Sequence, residues 1–155
     1  MSKKLKIALS IIILIALLGI VMFFVRRIDT AYTIIKNGYS SYKSKIISNY
    51  QEYQEFVNYI NKENESYGKV YNFNSNKYNK NYFNNNSLAI INIVTGNRSN
   101  TLKNIDISIT GDTLVCKANI EYGGGITDDI NGKLILVEID KSVIDFRIER
   151  NIRNE

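Results

Sequence analysis

The chain has 155 residues, a formal net charge of +5, one cysteine, and no histidine, tryptophan or proline. Five of its 20 basic residues flank one hydrophobic run (Lys3, Lys4, Lys6, Arg26 and Arg27), and the other 15 are balanced by 15 acidic residues. The remainder of the chain is therefore formally neutral and lacks the cationic field that supports nucleic-acid binding. The absence of histidine removes the commonest general base and the imidazole of serine and cysteine triads, and a lone cysteine excludes an intramolecular disulfide.

The hydrophobic run extends from Ile7 to Val25 and is interrupted only by Ser10 and Gly19. At about 1.5 Å per residue it is just long enough to cross a hydrocarbon core of roughly 30 Å, which predicts a transmembrane anchor at 7–25 behind a short cytoplasmic leader at 1–6. A cleavable signal peptide is the alternative, but its apolar part is usually shorter and is followed by a small-x-small cleavage site, which is missing here. The flanking charges favour a cytoplasmic N-terminus and an extracellular domain, and an inverted topology is the alternative.

Residues 26–37 are predicted to be a connector or a helical continuation, because they show no glycine-, serine- or proline-rich linker composition. The globular domain is then expected at 38–150, close to the bilayer. A strand ends at Ile46 and Ile47. A helix begins at Ser48 or Asn49, with Gln51 or Glu52 able to complete a capping box, and runs to about Lys62. Its buried stripe is predicted to consist of Tyr53, Phe56, Val57 and Ile60.

After the helix, the hydrophobic period becomes that of β-strands. Residues 88–94 are apolar at almost every position, as in a central strand that is buried on both faces. Alternating segments on either side of Gly111 and Asp112 predict a hairpin, and further strands are expected at 134–139 and 144–148. A polar tail follows at 151–155. The fold class expected is α+β: a single N-terminal transmembrane helix followed by a mainly antiparallel β domain with one or two helices.

Three segments carry a resemblance to a known family. They are the stretch from Tyr78 to Ile91, which contains Tyr-Phe-Asn-Asn-Asn-Ser-Leu-Ala-Ile-Ile, the loop Gly-Gly-Gly-Ile-Thr-Asp from Gly123, and the strand Leu-Ile-Leu-Val-Glu-Ile-Asp-Lys from Leu134. Together with the preceding helix they resemble the PrcB-type domain over residues 46–148. The family usually has proline before its final strands, and this chain has none. The resemblance implies a compact, mainly β accessory domain without known catalysis.

Few residues are candidates for catalysis or for binding a metal ion. Cys116 shares the apolar face of its strand and is predicted to be a buried thiol with a raised pKa. Asp128 and Asp129 precede Asn131 in an oxygen-rich loop and are candidate ligands for a hard cation, although ordinary solvated loop carboxylates are the alternative. Glu121 with Asp128 or Asp129 is the candidate carboxylate pair for glycoside chemistry.

Tyrosine is concentrated between residues 50 and 82. Such side chains occur both in cores and on surfaces that bind protein or glycan, and both interpretations remain open. Tyr67, Tyr71 and Tyr78 are the candidate partner-binding residues.

The function expected is a non-catalytic binding or scaffolding accessory of the bacterial envelope, held in the cell membrane, without a cofactor and with an envelope protein as partner. The alternatives are a cell-wall enzyme that uses carboxylates and a membrane-anchored interaction protein that faces the cytoplasm.

Overall fold

The computed structural model describes residues 12–13, 25–26, 32–97, 99–124 and 130–153. Apart from the helical residues Ile12 and Ile13, the described residues form eight strands, one α-helix and two short 3-10 helices. The elements are β1 (Val25–Arg26), β2 (Thr33–Asn37), β3 (Lys45–Ile47), α1 (Tyr50–Tyr67), 3-10 helices at Ser75–Lys77 and Tyr82–Asn84, β4 (Asn86–Asn97), β5 (Thr101–Thr110), β6 (Thr113–Glu121), β7 (Ile130–Asp140) and β8 (Asp145–Arg153).

The strands build two four-stranded sheets. The central sheet has the order β2-β7-β4-β3, and the outer sheet has the order β1-β5-β6-β8. All neighbours are antiparallel except β6 and β8, which run parallel. A mainly antiparallel β domain with one α-helix is therefore confirmed, and β8 is the strand that departs from antiparallel pairing.

The two sheets face each other across an apolar core. Alternate residues of β4 and β7 in the central sheet meet alternate residues of β5 and β6 in the outer sheet (Ala89, Ile91, Ile93, Ile135, Val137, Ile139, Ile105, Ile107, Ile109, Leu114, Cys116 and Ala118). The period of two in the sequence identified this face, because successive side chains of a strand point to opposite sides.

A second core lies on the other face of the central sheet, under α1. Leu88 and Ile90 of β4 and Leu134 and Leu136 of β7 belong to the same buried cluster as the helical stripe Tyr53, Phe56 and Ile60. This second core explains why β4 is apolar at consecutive positions: the central sheet is covered on both sides.

The predicted capping box is present at the start of α1. The Asn49 side chain accepts a hydrogen bond from the Glu52 backbone N–H at 2.9 Å, and a Glu52 carboxylate oxygen accepts one from the Ser48 N–H at 2.9 Å. The first contact satisfies a backbone donor that the first helical turn leaves without an intrahelical partner. The second reaches the N–H of Ser48, one residue before the N-cap Asn49, so the box is a variant of the predicted one. The helix continues to Tyr67, five residues beyond the predicted end at Lys62, and stops at Gly68, which has a φ of 78°.

Two boundaries differ from the sequence-based expectation. The segment predicted as a connector, 26–37, contains Arg26 of β1 and the whole of β2, whose residue Ile35 is buried in the core under α1. At the other end, the segment predicted as a polar tail, 151–155, contributes Asn151–Arg153 to β8, paired with β6. The sheet therefore extends beyond 38–150 at both ends.

The predicted membrane segment, Ile7 to Val25, lies outside the described residues except for the helical Ile12 and Ile13 and for Val25. Val25, its last residue, is in β1 and pairs with Thr110. Among the helices of the described residues, none has the length and apolarity needed to span a bilayer.

Candidate functional site

The domain has two distinct ends. We define the proximal end as the end at which β1 joins β5. There, Val25 pairs with Thr110 beside the turn at Gly111 and Asp112. The distal end is the opposite one, where β5 begins at Thr101. At roughly 3.3 Å per strand residue, the ten residues of β5 separate the two ends by about 30 Å. The N-terminal segment thus enters the fold at the proximal end.

A cleft of about 260 Å³ opens at the distal end. It is lined by residues from the end of β2, the distal parts of β4 and β7 and the start of β5 (Asn37, Gly38, Thr95, Asn100, Thr101, Leu102, Asn131, Gly132 and Lys133). Register shifts in the β4–β7 pair and in the β5–β6 pair lie beside it. Such bulges bend and twist strands locally, and they commonly occur next to binding sites.

The walls of this distal cleft are polar. The Asn100 amide donates to the Thr95 carbonyl at 2.7 Å, and its oxygen accepts from the Gly123 N–H at 3.3 Å, so that Asn100 joins β4 to the segment after β6. The Thr95 side chain is 5% exposed, and its hydroxyl has no hydrogen-bond partner among the described residues. A buried hydroxyl without a partner is uncommon and indicates a place where another polar group is needed.

Lys133 is the charged residue of the cleft lining, and no aspartate or glutamate is among the described residues that line it. The side chain is half-buried. It makes no ion pair within the described part of the chain. Among the residues that the structure describes, the distal cleft therefore combines one ammonium group without a neighbouring carboxylate with amide and hydroxyl groups, an arrangement suited to binding a polar ligand.

Exposed apolar side chains gather around the same end. Tyr39 follows β2, Ile130 opens β7, and Tyr122 and Ile152 lie at the close of β6 and β8, where the Tyr122 N–H donates to the Arg153 carbonyl at 3.0 Å. Scattered apolar residues are normal on a protein surface, but a concentration of them at one end is typical of a contact surface.

Two further large apolar residues, Tyr67 and Ile144, are exposed. Tyr67 ends α1, whose C-terminal half approaches the distal end through the Tyr59–Ser41 hydrogen bond of 2.8 Å. Ile144 is the exception, because its N–H donates to the Asp112 carbonyl at the proximal end. Of the six exposed large apolar residues among those described between 32 and 153, five therefore lie distally.

Cys116 behaves as predicted. Its side chain is fully buried between the two sheets. Burial, with a smaller contribution from the negative charge of Asp106, raises the pKa of the thiol to about 11. Because the thiolate is the reactive form, this cysteine is structural.

The predicted carboxylate sites are only partly described. Asp128 and Asp129 lie outside the described residues, and with them the proposed cation site and the partner of Glu121 in a carboxylate pair. Glu121 itself forms an ion pair with Lys103. Within 32–97, 99–124 and 130–153, no three cysteine, aspartate or glutamate side chains are grouped as metal ligands.

Of the candidate partner-binding tyrosines, Tyr71 and Tyr78 are only 2% and 4% exposed and belong to the core, which is the other interpretation that the sequence left open. Tyr71 shares a hydrogen bond of 3.2 Å with the Ser40 hydroxyl, and Tyr78 donates to Glu138 at 2.9 Å. They are buried because the segment after α1 folds back over the central sheet and covers the area that the helix leaves open. Tyr67 is 73% exposed and remains a candidate for partner binding.

The contact between Lys77 and Glu138 holds the segment that follows α1 against β7. Burial alone would raise the pKa of Glu138, but hydrogen bonds from Lys77 and Tyr78 and the charge of Lys77 outweigh it and lower the pKa. The carboxylate is thus held ionised as the acceptor for both partners. Its arrangement accounts for packing and does not suggest a separate site.

Sequence reasoning missed the residues of the distal cleft. Thr95, Asn100 and Lys133 come from three different strands or their ends, and each has an ordinary polar identity for a strand terminus. Only the bulge-forming Gly96 and Gly132 gave a local signal. The chain matches no protein-family model, and no curated protein or solved structure is significantly similar to it.

Proposed function

We propose that this chain is a membrane-anchored, extracytoplasmic binding protein of the bacterial envelope that holds its binding site away from the bilayer. The observation that carries the proposal is the separation of the two ends. The hydrophobic run leads into β1 at the proximal end, whereas the cleft and most exposed apolar side chains lie about 30 Å away at the distal end.

A non-catalytic role is part of the proposal. The described lining of the distal cleft offers ammonium, amide and hydroxyl groups, which bind polar ligands, and the one cysteine is buried away from solvent. The resemblance to PrcB-type domains belongs to the same proposal, since it implies an accessory domain. The partner expected is an envelope protein that meets the distal end.

Topology can be tested with single added cysteines in the full chain. Because Cys116 is buried, it should not react with the label. Labelling of Asp112→Cys therefore reports the accessibility of the proximal end, and labelling of Tyr122→Cys that of the distal end. Both should react with a membrane-impermeant maleimide on intact cells. Labelling that requires lysis would place the domain in the cytoplasm and overturn the proposal.

The same two variants test the orientation. In liposomes that carry an acceptor dye on the lipid headgroups, energy transfer from residue 112 should clearly exceed transfer from residue 122, because about 30 Å separates the two ends. Equal transfer would show that the domain lies flat on the membrane.

The partner can be tested with a photo-crosslinking amino acid in living cells. Replacing Tyr122 should give an adduct of defined mass, whereas replacing the proximal Ile144 provides the matched control at an exposed apolar position. Adducts at Ile144 and none at Tyr122 would contradict distal binding.

A further inference from the structure

We propose that the distal cleft binds an anionic saccharide unit, with Lys133 receiving the negative charge and the neutral polar groups receiving the ring hydroxyls. This inference rests on the proposed function, because it specifies the ligand of the same site.

The charge of the ligand follows from Lys133. Lys133 is a half-buried residue in a cleft whose described lining contains no carboxylate, and it has no ion-pair partner within the described residues. Three lysines of the described residues form ion pairs, Lys77 with Glu138, Lys103 with Glu121 and Lys117 with Glu149, and Lys133 differs from the remaining lysines because it lines the cleft. A ligand carboxylate or phosphate would supply the missing counter-charge through a charge-assisted hydrogen bond.

The neutral groups point to a hydroxyl-rich ligand. The side chains of Asn37 and Thr101 make no hydrogen bonds to other described residues, and Asn131 uses only its oxygen, which accepts from the Gly132 N–H at 2.8 Å. Side-chain amides and hydroxyls can each donate and accept hydrogen bonds. They therefore match the hydroxyl groups of a sugar ring, which also donate and accept. Among the described residues, the buried hydroxyl of Thr95, another residue of the cleft lining, also has no hydrogen-bond partner.

The size of the cleft limits the ligand to a small unit. Its volume of about 260 Å³ lies just below the range of roughly 300–1,000 Å³ that is usual for small-molecule sites. One sugar unit fits this scale better than an extended chain. Tyr39, which is 48% exposed, directly follows Gly38 of the cleft lining, so an exposed aromatic residue adjoins the lining in the chain.

The test uses the isotope-labelled full chain in detergent micelles, followed by amide chemical shifts. The probes are glucuronate, glucose 1-phosphate, glucose, inorganic phosphate and an acetylated dipeptide with a free carboxylate. Glucuronate and glucose 1-phosphate should shift the amides of Thr95 and Lys133 in a saturable manner, and the two probes separate a carboxylate source from a phosphate source. Glucose and inorganic phosphate should each bind more weakly, since each lacks half of the recognised chemistry.

Lys133→Gln should weaken binding of the better acidic sugar about tenfold or more, as expected for loss of one charge-assisted hydrogen bond. Lys80→Gln is the matched control, because it removes the same charge from an exposed position outside the cleft lining. Thermal unfolding of both variants verifies that they remain folded. Asn37→Ala, on the exposed rim, provides a second variant and should weaken glucose and the acidic sugars alike.

Several results would overturn the proposal: no shift at cleft amides with either acidic sugar, equal losses in Lys133→Gln and Lys80→Gln, no preference for the acidic sugar over glucose, or preferred binding of the dipeptide. None of them affects the labelling and energy-transfer tests of the proposed function. Failure of the ligand class and failure of the binding-protein proposal are therefore distinguishable.

Discussion

Tyr53 should make the stability of the domain depend on alkaline pH. Its ring is 2% exposed and lies 5.5 Å from Phe83 and 5.7 Å from Tyr78, and its hydroxyl donates to the Ser75 carbonyl at 2.7 Å. Burial, helped by the neighbouring Tyr78 and Tyr50, raises the pKa of Tyr53 to about 12. In the unfolded chain a tyrosine ionises near pH 10.

The sign of the effect follows from the raised pKa of the folded state. The contribution of Tyr53 to stability is fully present below about pH 10 and is lost as the pH rises from 10 towards 12, because only the unfolded chain then releases the proton. At pH 11 this tyrosine alone should lower the free energy of unfolding by about 1 kcal/mol. Burial raises the pKa values of Tyr42, Tyr71, Tyr78 and Tyr82 as well, so the total loss should be larger.

Tyr53→Phe isolates this contribution. It keeps the ring and removes the hydrogen bond to Ser75, so near pH 8 it should be less stable than the unmodified chain by about 1 kcal/mol. At pH 11 that deficit should vanish or change sign. The assay is urea unfolding of the full chain in detergent at both pH values, followed by circular dichroism, and Tyr67→Phe, at the exposed end of α1, is the matched control. An equal deficit of Tyr53→Phe at both pH values would refute the reasoning.

Three further predictions concern packing. Cys116 should react with a thiol reagent only as fast as the domain unfolds, and rapid labelling of the folded protein at neutral pH would contradict its burial. Asn49→Ala should lower the free energy of unfolding by about 1 kcal/mol in a urea titration through loss of the N-cap, whereas Asn58→Ala, in the exposed middle of α1, should be neutral or slightly stabilising. Gly132→Ala should lower the melting temperature, at a loss of about 2 kcal/mol, because its Cβ would lie 2.5 Å from the Ile93 carbonyl oxygen; a variant as stable as the unmodified chain would show that β4 and β7 can separate there.

Local patterns in the sequence identified most of the strands and the helix. Alternation placed Cys116 on the buried face of β6, and the polar residues at 48–52 located the start of α1. These features depend on neighbouring residues and on solvent exposure, which a sequence records directly. Alternation does not record which strand is the neighbour, however. The strand of Phe146 and Ile148 was recognised, but its parallel pairing with β6 was not.

β2 was missed because Ile34 and Ile35 are its only large apolar residues and the segment follows the hydrophobic run, which suggested a helical continuation. The distal cleft was missed for a related reason. Its residues are brought together by the ends of strands that are far apart in the chain, and polar residues at strand ends are common whether or not they bind a ligand. Conversely, the density of tyrosines looked like a binding surface but is largely the second core.

Both faces of β4 are buried, so its pairing register with the neighbouring strands is not fixed by one polar and one apolar face. A shift by one residue would exchange the side facing α1, with Leu88 and Ile90, for the side facing the outer sheet, with Ala89 and Ile91, and would still bury apolar groups on both. Asn92 breaks this near-equivalence. Its amide donates to the carbonyls of Ser40 and Tyr42, each at 2.8 Å, and its backbone N–H donates to the Ser44 hydroxyl at 2.8 Å. A single polar residue thus fixes the alignment of the strand that separates the two cores, as a buried asparagine fixes the alignment of helices in a coiled coil.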